Sequence, residues 1–241
     1  MAGTYCIVPV SRSHSAFLKF AAMNDSAADR SRSFVLLTHG FGSHRWFMAL
    51  MARRLRAAGF RTGLWGYRSF FSDIESHGER LRSKLEKLNE DPSIDTIHLV
   101  AHSMGGILAR CALAREKPEK FGRLVMIGTP NHGSYIAGHL EPLARRFCRT
   151  LLEVSDREGS FTRCLPPPTD LEFGVIASRR DRVVRLESTF LEGQADHLII
   201  PSQHTEILFR RDTSRQVAHF LEHGCFDHSP AAVSPTNTRQ P

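Results

Sequence analysis

The residues with the clearest chemical potential lie in "IHLVAHSMGGILAR", positions 97–110, where an apolar run meets Ser103 and turns at once into an amphipathic stretch. A serine hydroxyl is a weak nucleophile until a base takes its proton, and it must stand clear of its own backbone to react. A sharp strand-to-helix turn lifts it clear. Strand and helix nearly touch at such a turn, so the positions two before and two after the serine must be small. Ala101 and Gly105 satisfy this, although Ala101 stands where glycine is more usual and adds one methyl group. A helix N-cap would also account for a serine here, but a cap asks nothing of its neighbours.

Attack on an acyl carbon places negative charge on its oxygen, and two backbone N–H groups must receive that charge. The first is expected from Met104, directly after the serine and at the positive end of the following helix. The second is expected from Phe41 in "HGFG" (39–42), where glycines on both sides let the peptide turn inward. The G-x-G inside that segment has no third glycine at dinucleotide-binding spacing. Thirteen histidines compete for the role of base. His197 falls on an apolar run, His219 and His223 on a helical segment and His228 in the tail, so these four read as structural. His219 and His223 are spaced i, i+4, but neither H-E-x-x-H nor a third ligand accompanies them. The pattern calls for no metal and no cofactor.

Short apolar runs alternating with longer amphipathic ones are the elements that must position these groups, and that alternation predicts a parallel sheet with helical crossovers. "FVLLT" (34–38), "FRTGLWGY" (60–67), "IDTIHLVAHS" (94–103), "RLVMIGTP" (123–130), "EFGVIAS" (172–178) and "DHLIIP" (196–201) read as strands. Between them, a helix capped by Ser43 presents Trp46, Phe47, Leu50, Met51, Leu55 and Ala58 on one face, and Gly59 closes it. A second helix carries Ile74, Leu81, Leu85 and Leu88, a third follows Ser103, and a last one around Val217, Phe220 and Leu221 ends at Gly224. Residues 134–172 are irregular and read as a lid or cap inserted between strands. This gives one domain over 1–226 and a disordered tail over 227–241.

"LLTHGFG", "VAHSMGG" and "GTPNHGS" resemble the lipase and esterase branch of the α/β-hydrolase superfamily, with a C-terminal half similar to a bacterial lipase-like, inositol-deacylase-like group. The resemblance spans residues 34 to about 226. It implies an α/β-hydrolase fold, with a mainly parallel central sheet and helices on both faces. It also implies Asp181 as acid and His204 as base, in chain order Ser103, Asp181, His204. The family's glycine after the aspartate is Arg182 here, which leaves Glu187 and Asp196 as reserve candidates and a surface pairing of Asp181 with Arg179, Arg180 or Arg182 as the alternative. The expected reaction is hydrolysis of carboxylic esters through an acyl-enzyme. Acyl transfer to another acceptor, or a non-catalytic hydrolase-like binding module, are the competing readings.

The 241 residues are 41% apolar and 24% charged, the balance of an ordinary globular chain. Lys and Arg outnumber Asp and Glu by 32 to 25, a net charge of +7. That charge leaves room for peripheral contact with a lipid surface, but the arginines are scattered and no basic stripe suited to nucleic acid appears. The expected partner is a small-molecule or lipid-like ester, and oligomeric state is not legible. Five cysteines without a C-x-x-C pair suggest reduced thiols, with Cys148 and Cys164 as a pair only in an oxidising compartment. With no signal-like or membrane-spanning stretch in view, the expected location is cytoplasmic.

Overall fold

The computed structural model describes residues 30–114, 117–135, 137 and 149–229. Most of the expected tail, the beginning of the chain, part of the expected lid and Cys148 lie outside the described residues; Cys164 is a free, exposed thiol. In chain order the main elements are β1 (Ser33–Thr38), α1 (Ala49–Ala57), β2 (Arg61–Trp65), α2 (Ile74–Asn89), β3 (Thr96–His102), α3 (Met104–Leu113) and β4 (Phe121–Ile127). There follow α4 (Arg149–Glu153), α5 (Phe161–Cys164), β5 (Glu172–Ser178), α6 (Leu186–Thr189), β6 (Asp196–Ile200) and α7 (Arg211–His223).

The strands form one six-stranded sheet in the order β2-β1-β3-β4-β5-β6, and every neighbouring pair is parallel. A parallel strand covered by helices on both faces must be apolar on both, which is why these strands read as unbroken hydrophobic runs. Alternate residues then feed two cores. Leu36, Leu99, Ala101 and Met126 face α2 and α3, packing with Leu81, Leu85, Ile107 and Leu108. Val35, Leu37, Val100 and Val125 face the other way, onto Met51 and Leu55 of α1 and Val217, Phe220 and Leu221 of α7. Gly59 and Gly224 close α1 and α7 with φ of 102° and 74°, the left-handed geometry expected of them.

The start of α1 departs from the sequence reading. The chain enters through a 3-10 turn, Arg45–Met48, capped by His44 rather than Ser43. Three residues per turn instead of 3.6 rotates this stretch out of phase with the helix. Met48, Met51, Ala52 and Leu55 reach the sheet, while Trp46 and Phe47 are left 63% and 43% exposed. Among the described residues no helix is long and apolar enough to cross a membrane.

His98, in the middle of β3, shows what burial does to a titratable group. Its Nδ1 accepts from the Arg123 N–H at 3.0 Å, while Nε2 has no hydrogen-bond partner among the described residues. Burial first, and then the Arg123 charge, push its pKa down to about 3. The unfolded chain takes up this proton near pH 6.5. The contribution of neutral His98 is therefore complete above pH 6.5 and is lost as pH falls from there toward 3. We expect the wild type to lose ~1–2 kcal/mol more between pH 7 and pH 5 than His98→Asn does. Urea unfolding at both pH values measures it, and equal losses would contradict this account of the buried imidazole.

Candidate active site

β3 ends at His102 and α3 begins at Met104, so Ser103 alone makes the turn between them. Its backbone has φ 53° and ψ −126°, a region that costs a non-glycine residue roughly 1–3 kcal/mol. Its N–H is held by the Ile127 carbonyl of the neighbouring strand at 2.8 Å. The closeness that demands small neighbours is visible at Gly105, where a Cβ would lie 2.6 Å from the His39 carbonyl oxygen. Ala101 is fully buried between Thr38 of β1 and Met126 of β4, so its extra methyl is absorbed as core. Ser103 does not cap α3 through its side chain.

Its hydroxyl instead donates to His204 Nε2 at 3.0 Å. His204 sits in the loop after β6, and its Nδ1–H donates to Asp181 Oδ2 at 2.7 Å. The Asp181 side chain is only 2% exposed. Its other oxygen accepts from the Val183 and Val184 N–H groups at 2.8 and 2.9 Å. The carboxylate thus closes its own turn with Arg182 in place of glycine, and its aim is toward the imidazole. The reserve acids are elsewhere: Glu187 is exposed, and Asp196 is held by His228 and by the N–H groups of His197 and Phe226. His197 is stacked on Phe190, with burial lowering its pKa to about 4. His219 bonds the Cys225 carbonyl, and His223 lies 3.5 Å from Glu222. Among the described residues no group of His, Cys, Asp and Glu could hold a metal ion.

Other buried residues, not evident from the sequence, organise the segments around this line of three. His102, next to Ser103, donates from Nε2 to the carbonyl oxygen of His204 at 3.0 Å. One imidazole therefore fixes the backbone of the other. Burial, followed by the charge of His204, pushes the His102 pKa down to about 3, so it stays a neutral donor. Gly128, at φ 56°, forms the floor: a Cβ there would lie 3.4 Å from the His204 ring and 3.7 Å from Asp181 Oδ2. Arg110 of α3 is buried and bonds the Asn131 and Leu165 carbonyls, tying the loop after β4 to the segment before β5. Only Gly128 left a trace in the sequence, as the glycine that ends an apolar run.

The "HGFG" loop lies against the serine. A Cβ on Gly40 would come within 2.8 Å of Ser103 Cβ. His39 is buried and pins the loop: its Nδ1–H donates to the Gly40 carbonyl at 2.8 Å, and its Nε2 accepts from the Tyr67 N–H at 3.3 Å. Tyr67 stacks on the ring at 4.5 Å and returns a hydrogen bond from its hydroxyl to the His39 carbonyl. Phe41 follows Gly40 with its ring edge-on to Phe70. Met104 opens α3, where an N–H has no acceptor within its own helix.

A parallel sheet carrying a serine on a one-residue turn between a central strand and a helix defines an α/β hydrolase. The chain belongs to the family described as serine aminopeptidase, S33, whose model matches residues 29–157. It is 29% identical over 124 residues to a triacylglycerol lipase of Pseudomonas fragi, a match that spans 49% of this chain and only 41% of the lipase. A solved Bacillus licheniformis lipase, in its mature form, superposes with a TM-score of 0.59 at 16% identity, covering 75% of this chain and 88% of that one. An esterase from Exiguobacterium antarcticum gives 0.59 at 15% identity, covering 79% and 92%.

Glycine in place of another residue ordinarily costs stability, but at φ 53° it removes strain. Ser103→Gly should unfold with a free energy ~1 kcal/mol higher than Ser103→Ala, measured by urea titration. The reverse order would mean that the turn is not strained.

Proposed function

We propose that the chain is a serine hydrolase that cleaves carboxylic esters through an acyl-enzyme. The observation that carries this reading is the unbroken hydrogen-bonded line from Ser103 Oγ through the His204 ring to Asp181. In it, His204 takes the Ser103 proton as Oγ attacks the acyl carbon, and Asp181 holds the imidazole in the tautomer that leaves Nε2 free to accept. The N–H groups of Phe41 and Met104 receive the negative oxygen of the tetrahedral intermediate. His204 then returns its proton to the leaving alcohol. Water, deprotonated by the same ring, attacks the acyl-enzyme to release the acid and restore the serine. No metal or cofactor enters these steps. The lipase and esterase relatives favour an ester over the amide that the family's description names.

Initial rates on p-nitrophenyl esters of graded chain length, beside an aminoacyl p-nitroanilide, test the reading. We expect turnover of the esters above that of the anilide. Ser103→Ala and His204→Ala should each lose on the order of 10⁴–10⁶-fold in kcat, and Asp181→Asn roughly 10⁴-fold. A fluorophosphonate probe should label the wild type but not Ser103→Ala. Faster cleavage of the anilide would replace the ester reading with a peptidase, and an unlabelled wild type would remove the nucleophile.

A further inference from the structure

The arginines that look scattered along the chain are gathered by the fold. α1 and α7 lie on one face of the sheet, and a groove of about 910 Å³ between them is lined by Arg53 and Arg54 from one helix and Arg211 and Arg215 from the other. Arg54 is partly structural, donating to the Phe209 and Arg210 carbonyls and to Ser214 Oγ. Arg53, Arg211 and Arg215 are exposed. The acids closest in sequence face another cation: Asp212 is buried against Arg210, and Glu206 lies 3.9 Å from the same guanidinium. Like charges four residues apart on a helix repel. Burial, and then the charges of Arg211 and Arg53, hold the Arg54 pKa below its ordinary value against an opposing pull from Asp212.

A second observation adjoins the first. Trp46, Phe47, Phe70, Phe71, Val183 and Phe209 are all exposed, and all lie in the connections that follow β1, β2, β5 or β6. That is the carboxyl edge of the sheet, where Ser103 stands. The Phe47 and Phe209 rings are 6.3 Å apart, and Phe70 packs on Phe41 beside the serine. Arg45 lies over Trp46 and Arg68 over Phe71. Since the Phe209 carbonyl is bonded to Arg54, rim and groove are continuous. Exposed aromatic rings interleaved with arginines suit the headgroup layer of a membrane, where ring and side-chain stem sit in the apolar boundary and the charge meets phosphate.

We propose that this face docks onto an anionic phospholipid surface, with the groove arginines on the headgroup phosphates and the aromatic rim at the acyl boundary around Ser103. Docking itself depends only on the surface; that it presents membrane esters to Ser103 rests on the hydrolase reading above. A nucleic acid could satisfy the arginines, but it carries no carboxylic ester to bring to the serine on the same edge of the sheet.

The test is sedimentation of the full chain carrying Ser103→Ala with phosphatidylcholine vesicles, with and without phosphatidylglycerol. We expect partitioning onto the anionic vesicles that weakens with salt. It should fall about 100-fold when Arg53, Arg211 and Arg215 are all changed to Gln, and also on changing Phe70 and Phe71 to Ser with the charges intact. Equal binding to both vesicle types, no binding to either, undiminished binding by both variants, or displacement from the vesicles by a DNA duplex would each overturn the proposal. Turnover of a water-soluble short-chain ester by the arginine variant with Ser103 restored should match wild type. If wild type fails to cleave that ester while docking persists, the hydrolase reading falls and the docking surface stands.

Discussion

The architecture depends on one close approach. At Ser103 the chain turns from a fully buried strand into a helix within a single residue, anchored by one hydrogen bond to Ile127 on the next strand. That turn is possible only because the β1 loop presents bare backbone: the His39 carbonyl against Gly105, and Gly40 against Ser103 itself. The sheet supplies the rigidity that keeps a non-glycine residue at positive φ. In exchange, the hydroxyl projects from the carboxyl edge, where loops from distant parts of the chain converge.

The same edge is organised by imidazoles. His39 fixes the glycine loop and His102 fixes the backbone of His204, while His204 itself links hydroxyl to carboxylate. Burial makes the first two poor bases, with the His102 pKa pushed down to about 3, so each serves as a directional donor. His204 keeps some contact with solvent, its side chain 13% exposed. Three rings of one chemical type thus take different tasks because their surroundings differ.

The strands and the main helices were legible because a parallel sheet writes itself as apolar runs separated by amphipathic ones, and the runs at 34–38, 172–178 and 196–201 fall within a residue or so of the observed strands. Ser103 was legible for a related reason, since the turn's steric demand falls on its immediate neighbours. The entrance to α1 was not legible. A 3-10 turn changes the period without changing composition, so the apolar type of Trp46 and Phe47 points to a buried face that they do not occupy.

What the sequence by itself determined is therefore what local sterics and periodicity control: the alternation of strand and helix, the left-handed closing glycines, and the small residues flanking the serine. Tertiary structure decided what depends on convergence of residues from different elements. It set the Asp181 carboxylate against His204 and left Glu187 and Asp196 elsewhere, gave His102 and Gly128 their places around His204, and drew Arg53, Arg54, Arg211 and Arg215 into one groove. The physical reason is that hydrogen-bond direction and charge density are set by separation in space, and separation in space between residues far apart in the chain is set by sheet order and helix packing.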